Sequence, residues 1–249
     1  EKIDLIFHCA ALVNLVYSYS VLKPATVSGT HEILRFAFTS VSKPLHYIST
    51  LGIFPPGDSG DRYLENSDID SFADGLIGGY SQTKWVAEKL VWEAISRDLP
   101  VCIYRPGTIG PHSVTGVTNP NDFLFLIIDA CRKVQCAPQN SGWMFEGTPV
   151  DFLAKAIVRF ASDPTPHLGQ VYNVVQTDRT PATTVFHLLE EQNYISDYVS
   201  VEGWKSRLYS KAKEDDDVIL NVLAQSLEVE ERHLTYKSIN YQSLFEKSV

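Results

Sequence analysis

No run of apolar residues in this 249-residue sequence approaches the roughly 18 that a membrane-spanning helix needs. A basic excess is also missing: 21 Lys and Arg stand against 30 Asp and Glu, a formal net charge of -9. An acidic surface repels phosphate backbones and anionic headgroups, so nucleic-acid and membrane-surface binding are not expected. Cysteine is scarce and scattered. Cys9 and Cys102 fall in apolar, strand-like runs that predict buried thiols. Cys131 and Cys136 lack the second ligand pair of a zinc site, so no metal is expected. Reduced thiols and no recognisable secretory leader point to the cytoplasm. Internal repeats, low-complexity tracts and long charge blocks are absent too, which sets aside solenoids and disordered tails.

What is there reads as an ordinary globular chain, 44% hydrophobic and 20% charged. Its length suits one large domain, or one core with a smaller lobe. Short apolar runs at Asp4–Cys9, Leu45–Ser49, Val101–Arg105 and Gln170–Val175 alternate with helical stretches. That alternation predicts a parallel sheet with crossover helices. The spacing predicts helices over Ala25–Ser40 and Tyr80–Ser96, with the Gly/Pro/Asp-rich loop Pro55–Asp61 between the second strand and the second helix. A further helix is expected to begin with Thr148 as cap, Pro149 in the first position and Asp151 three residues after the cap, running to Ala161. From Gln176 onward the pattern turns polar and helical. Residues 1–175 therefore form the expected sheet domain and 176–249 a helical lobe, to which 108–149 contributes.

Tyr80 and Lys84 open the second helix. Residues at i and i+4 share a helix face, and a nearby ammonium lowers the pKa of a phenol toward the working range. The spacing alone does not choose, because Tyr19/Lys23 and Tyr209/Lys213 repeat it. Context does. Only Tyr80 follows a strand ending in the hydroxyls of Ser49 and Thr50, and only its helix leads into a strand ending in Arg105-Pro106-Gly107. In an open α/β sheet, ligands bind at the carboxyl ends of the strands.

Four segments carry a resemblance. His8-Cys9-Ala10-Ala11, Tyr47-Ile48-Ser49-Thr50, Tyr80-Ser81-Gln82-Thr83-Lys84 and Tyr104-Arg105-Pro106-Gly107 stand in the order found in extended short-chain dehydrogenases/reductases. Finer details are similar to the thioester reductase domains of nonribosomal peptide and polyketide synthetases and of carboxylic acid reductases. These include His8 to Asn14, Gly29 to Leu34, Gly79 to Leu90 and Pro149-Val150-Asp151. The resemblance implies a Rossmann-like, doubly wound parallel sheet with a smaller, mostly helical substrate lobe.

It also implies a reaction: NADPH-dependent reduction of a thioester on the phosphopantetheine arm of a carrier protein, releasing an aldehyde or alcohol. Thr50 then corresponds to the catalytic hydroxyl, Tyr80 to the proton donor and Lys84 to the lysine at the nicotinamide ribose. His8, Cys9, Ala10 and Ala11, with Ser49, Arg105, Pro106 and Gly107, complete the implied cofactor site. Donors at Thr50 and Tyr80 would stabilise the oxyanion where it develops.

Two departures accompany the resemblance. The family's Asn-Val before Gly29-Thr30 is replaced by Thr26-Val27-Ser28. The glycine-rich turn that cradles a pyrophosphate is missing, since Gly57–Gly60 and Gly75–Gly79 have the wrong spacing. The family's first three strands, that turn and the adenosine-phosphate determinant are therefore expected upstream of Glu1. The chain as given is then an N-terminally truncated part, expected to bind NADPH poorly or not at all. The alternatives are another extended short-chain enzyme, such as a sugar epimerase/dehydratase, hydroxysteroid dehydrogenase or fatty acyl-CoA reductase, or a noncatalytic binding descendant.

Overall fold

A computed structural model describes residues 3–55, 62–139, 141–165, 167–176, 178–235 and 240–241. Most of the loop expected at Pro55–Asp61 lies outside the described residues. Its centre is a four-stranded parallel sheet of β1 (Ile6–His8), β2 (Leu45–Ile48), β3 (Val101–Pro106) and β4 (Val171–Val174), adjacent in that order. The four expected strands are all present, their ends shifted by one or two residues. Register aligns His8 with Tyr47, Tyr47 with Ile103, and Ile103 with Val171. The carboxyl ends therefore form one edge, from which the loops after His8, Ile48 and Pro106 emerge.

Side chains alternate across the sheet. Tyr47, Val101 and Ile103 pack with Leu34 of α2 (Gly29–Phe38) and with Ala87 and Val91 of α3 (Gly79–Ile95). Cys102 and Tyr104 face the other way, onto Leu153 and Ile157 of α5 (Val150–Ser162). Helices on both faces make this a Rossmann-like α/β fold. Beside β1 the second face stays open, and Phe7 is exposed there.

Three local expectations need correction. The stretch expected as one helix from Ala25 to Ser40 is a wide π-turn (Pro24–Ser28) followed by α2, and the turn continues a short α1 (Tyr19–Lys23) that was not expected. Proline brings no amide to the ladder, and the wider pairing starts at Pro24. Thr148 does not cap α5. Its hydroxyl donates to Glu146, Pro149 takes the cap position, and Asp151 instead accepts from Ser113 and Lys155. Cys9 is exposed, because β1 ends at His8 and the apolar run outlasts the strand.

A second core gathers helices from both sides of residue 175. Ile127, Ala130 and Cys131 of α4 (Phe123–Val134) join Phe186 of α6 (Ala182–Glu191), Trp204 and Leu208 of α7 (Val201–Glu214) and Leu223 of α8 (Val218–Thr235). Trp143 is buried edge-on against Trp204 in this core. No helix among the described residues is long and apolar enough to cross a membrane.

Candidate active site

Burial separates the three Tyr/Lys pairs that spacing could not. Lys23 and Lys213 are exposed, whereas Lys84 is 2% exposed. The reason is where α3 starts. A Cβ on Gly79 would lie 2.4 Å from the Tyr17 carbonyl oxygen and the Tyr19 nitrogen, so only glycine lets this helix begin against the chain entering α1. Gly78 precedes it at a φ of 81°, in the left-handed region that glycine adopts freely. Two glycines thus seat Tyr80 at the sheet edge and bring Lys84 beneath it.

The Lys84 ammonium donates to the Ile48 carbonyl at 2.7 Å and to the Tyr47 phenol oxygen at 3.2 Å, and it lies 4.7 Å above the centre of the Tyr47 ring. Loss of water around the charge lowers its pKa to about 8, and Glu88 one turn further along acts in the opposite sense. His8 reaches in from the end of β1. Burial, reinforced by the Lys84 charge, lowers its pKa to about 4, so the ring is neutral near pH 7. Burial raises the Cys9 thiol, with Lys84 pulling it down.

Thr50 stands half-buried at the end of β2. Its hydroxyl accepts from the Gly52 amide and caps a short 3-10 turn (Leu51–Ile53). That turn packs on α3, and a Cβ on Gly52 would lie 3.4 Å from the Ser81 hydroxyl and 3.5 Å from that of Thr50, so the two hydroxyls flank one point at the strand end.

Arg105 and Ser49, both expected at the cofactor, hold a buried carboxylate with their side chains. The guanidinium of Arg105 is fully buried and pairs with the equally buried Glu88 at 2.6 Å, lying also over the Phe54 ring. Ser49 donates its hydroxyl to the same carboxylate, and the Trp92 indole is bound there at 3.1 Å. A charge taken out of water must be paired, so Arg105 and Ser49 are drawn inward to Glu88. From that stretch, Pro106 and Gly107 are left at the strand end. A Cβ on Gly107 would come 2.6 Å from the Glu146 carboxylate.

Glu146 itself was not foreseen. Buried, with its pKa raised by that burial, it accepts from the amides of Thr108 and Gln176 and from the Thr148 hydroxyl. It borders a cavity of about 260 Å³ whose other walls include Thr108, Leu124, Phe125, Phe145 and Gln176. The cavity lies beyond Gly107, between the sheet edge and the helical lobe; Thr50, Tyr80 and Lys84 do not line it. His112 spends its Nδ1 on the amides of Val114 and Thr115 in its own loop. Thr30, Tyr47 and Glu88 were missed as well. Each looks like an ordinary core residue in sequence, and only their meeting around Lys84 and Arg105 marks them.

The residues present fit one end of a nicotinamide dinucleotide. A buried ammonium, a tyrosine one helical turn before it and a strand end with exposed Cys9 and Ala10 share one edge. The glycine turn for the pyrophosphate is not among the 249 residues. Such a cofactor, when bound, supplies or takes a hydride at its nicotinamide ring.

The fold and the residues at its strand edge point to one class, the reductase domains of the extended short-chain dehydrogenase/reductase superfamily. The chain belongs to the NAD-binding male sterility protein family, which matches residues 1–157. Among curated relatives, the glycine betaine reductase ATRR of Emericella nidulans is 40% identical over 208 residues, 82% of this chain and 16% of that protein. The non-canonical nonribosomal peptide synthetase FrzA of a Cladobotryum species is 38% identical over 181 residues, 71% of this chain and 18% of that protein. The terminal R domain of the myxalamid PKS-NRPS pathway superposes with a TM-score of 0.83 at 35% identity, covering 97% of this chain and 60% of that structure. The chain therefore spans a small part of those relatives and somewhat over half of the R domain it resembles.

Proposed function

We propose that the protein containing this chain reduces an acyl or peptidyl thioester, carried on the phosphopantetheine arm of a carrier protein, to an aldehyde or alcohol with NADPH. One observation carries the reading: the Lys84 ammonium is buried at the sheet edge on the Ile48 carbonyl, one turn after Tyr80. In this role Tyr80 donates the proton to the carbonyl oxygen, Thr50 shares the developing charge, and Lys84 keeps Tyr80 acidic enough to act. His8 to Ala11, Pro106 and Gly107 flank the cofactor's nicotinamide end. A nonribosomal peptide synthetase and a synthetase terminal R domain among the relatives support the thioester as substrate class. The cavity beside Glu146 is the proposed berth for the acyl group. The domain division at residue 175, with 123–145 packing into the second lobe, and a cytoplasmic location belong to the same proposal.

The test is NADPH oxidation by the intact protein, given an acyl thioester on its carrier and, separately, a nucleotide sugar, with NADH in a parallel arm. Turnover of the thioester with NADPH, lost in Tyr80→Phe, supports the proposal. Turnover of the nucleotide sugar alone overturns it.

A further inference from the structure

Behind Lys84 lies a chain of buried polar side chains that the proposed reaction does not use. Tyr47, from β2, packs its ring 5.6 Å from that of His8. The Thr30 oxygen lies 3.0 Å from His8 Nε2, and its hydroxyl donates to the Thr26 carbonyl at 2.7 Å. All of these residues except Thr26 meet on the sheet face that packs against α2 and α3, and Thr26 sits in the π-turn just ahead of α2.

Counting protons fixes the direction of every bond. Thr30 has one proton, and the Thr26 carbonyl takes it. The Thr30 oxygen can then only accept, so His8 must carry its proton on Nε2. The Lys84 ammonium has only donors, so the Tyr47 oxygen accepts from it. The Thr26 carbonyl has no proton to hand on, so no proton can pass along the chain. The arrangement is a scaffold and not a relay, and its loose end is the acceptor that Lys84 meets.

We propose that Tyr47 is a positioning residue for the reaction, packed against His8, which Thr30 holds, so that its oxygen and ring fix the Lys84 ammonium beside Tyr80. Two features of the chain bear this out. Burial keeps the Tyr47 phenol protonated and neutral, and His8 is neutral near pH 7, so neither adds a competing charge. The Thr26 hydroxyl is buried without a partner among the described residues, so at the position where the family carries asparagine the side chain offers Lys84 nothing. The titratable groups around Lys84 are Tyr80 and Glu88 from its own helix, His8 and Cys9 from the end of β1, and Tyr47 from β2. Of these, Tyr47 is the neutral acceptor in hydrogen-bond contact.

The kinetic side of this inference rests on the proposed reductase function; the contact itself can be read without turnover. In Tyr47→Phe the ring and its packing stay and only the oxygen goes. An acceptor favours the charged amine, so its loss lowers the Lys84 pKa. The measurement is an NMR titration of the intact protein labelled at lysine Cε, with the Lys84 signal assigned by Lys84→Arg. The expected result is a midpoint near 8 in the wild type and roughly one unit lower in Tyr47→Phe, with a smaller shift of the same sign in Thr30→Val. The alkaline limb of the kcat profile then moves down by the same amount, about tenfold in rate on that limb, while KM for the thioester holds. An unchanged midpoint overturns the inference. If Tyr47→Phe does not fold, Thr30→Val decides alone, and an unchanged midpoint there overturns it equally. If the wild type reduces no thioester, the proposed function falls, while the titration still decides the role of Tyr47.

Discussion

Helix α3 carries two buried polar clusters one turn apart, and they differ in how completely they are closed. Around Glu88, Arg105 gives two charge-assisted bonds, Ser49 a hydroxyl and Trp92 an indole N–H, all inside the core. Around Lys84, the acceptors come from one side only, the Ile48 carbonyl and Tyr47, and the ammonium lies at the sheet edge. The first cluster neutralises its charge internally and ties β2 and β3 to the helix. The second leaves a desolvated cation with a lowered pKa where a ligand can meet it. Equal burial thus serves two ends: a closed ion pair holds the fold, and a half-satisfied cation at a strand end is the working group of the proposed reaction.

That contrast breaks most sharply at Tyr80. In the intact protein Tyr80→Phe is expected to lower kcat for NADPH oxidation on the order of 10²–10⁴-fold with an unchanged melting temperature. Glu88→Ala is expected to do the reverse. Leaving the Arg105 guanidinium buried and unpaired costs about 3–5 kcal/mol in denaturant unfolding.

The polar scaffold behind Lys84 has its own signature in pH. His8 titrates near 4 in the folded protein against 6.5 when unfolded, so the unfolded state binds more protons between those values. Stability is therefore full above about pH 6.5 and falls as pH drops toward 4, by roughly 3 kcal/mol from this group. Equilibrium unfolding from pH 7 to 4 measures it, and His8→Asn should flatten that slope. Gly79→Ala, which forces a Cβ into backbone, is expected to cost about 1–3 kcal/mol and to reduce activity as Tyr80 is displaced. The smallest effects belong to the solvated lysines. Lys23→Ala and Lys213→Ala should stay within about 0.5 kcal/mol of wild type with unchanged turnover; a loss of turnover in either would undo the assignment of Lys84 by burial.

Much of the fold was legible because its signals are local. Four apolar runs bounded by turns became four strands, and the helix beginning at Gly79 was expected at Tyr80. Thr50, Tyr80 and Lys84 were legible as candidates from their order along the chain. The misreadings have different physical causes. The buried ion pair of Arg105 with Glu88, 17 residues earlier, was not foreseen. Thr148 was read as a helix cap, but the buried Glu146 claims its hydroxyl. Cys9 was read as buried because its run is apolar, yet the strand stops one residue earlier.

By itself the sequence determined the alternation of strand and helix, the superfamily motifs and a shortlist of three Tyr/Lys pairs, because periodicity and spacing are properties of neighbours along the chain. Only the tertiary structure decided which of the three lysines is taken out of water. Desolvation depends on what other segments bring to a residue, and α1, β1 and β2 all close around Lys84 while Lys23 and Lys213 remain in water.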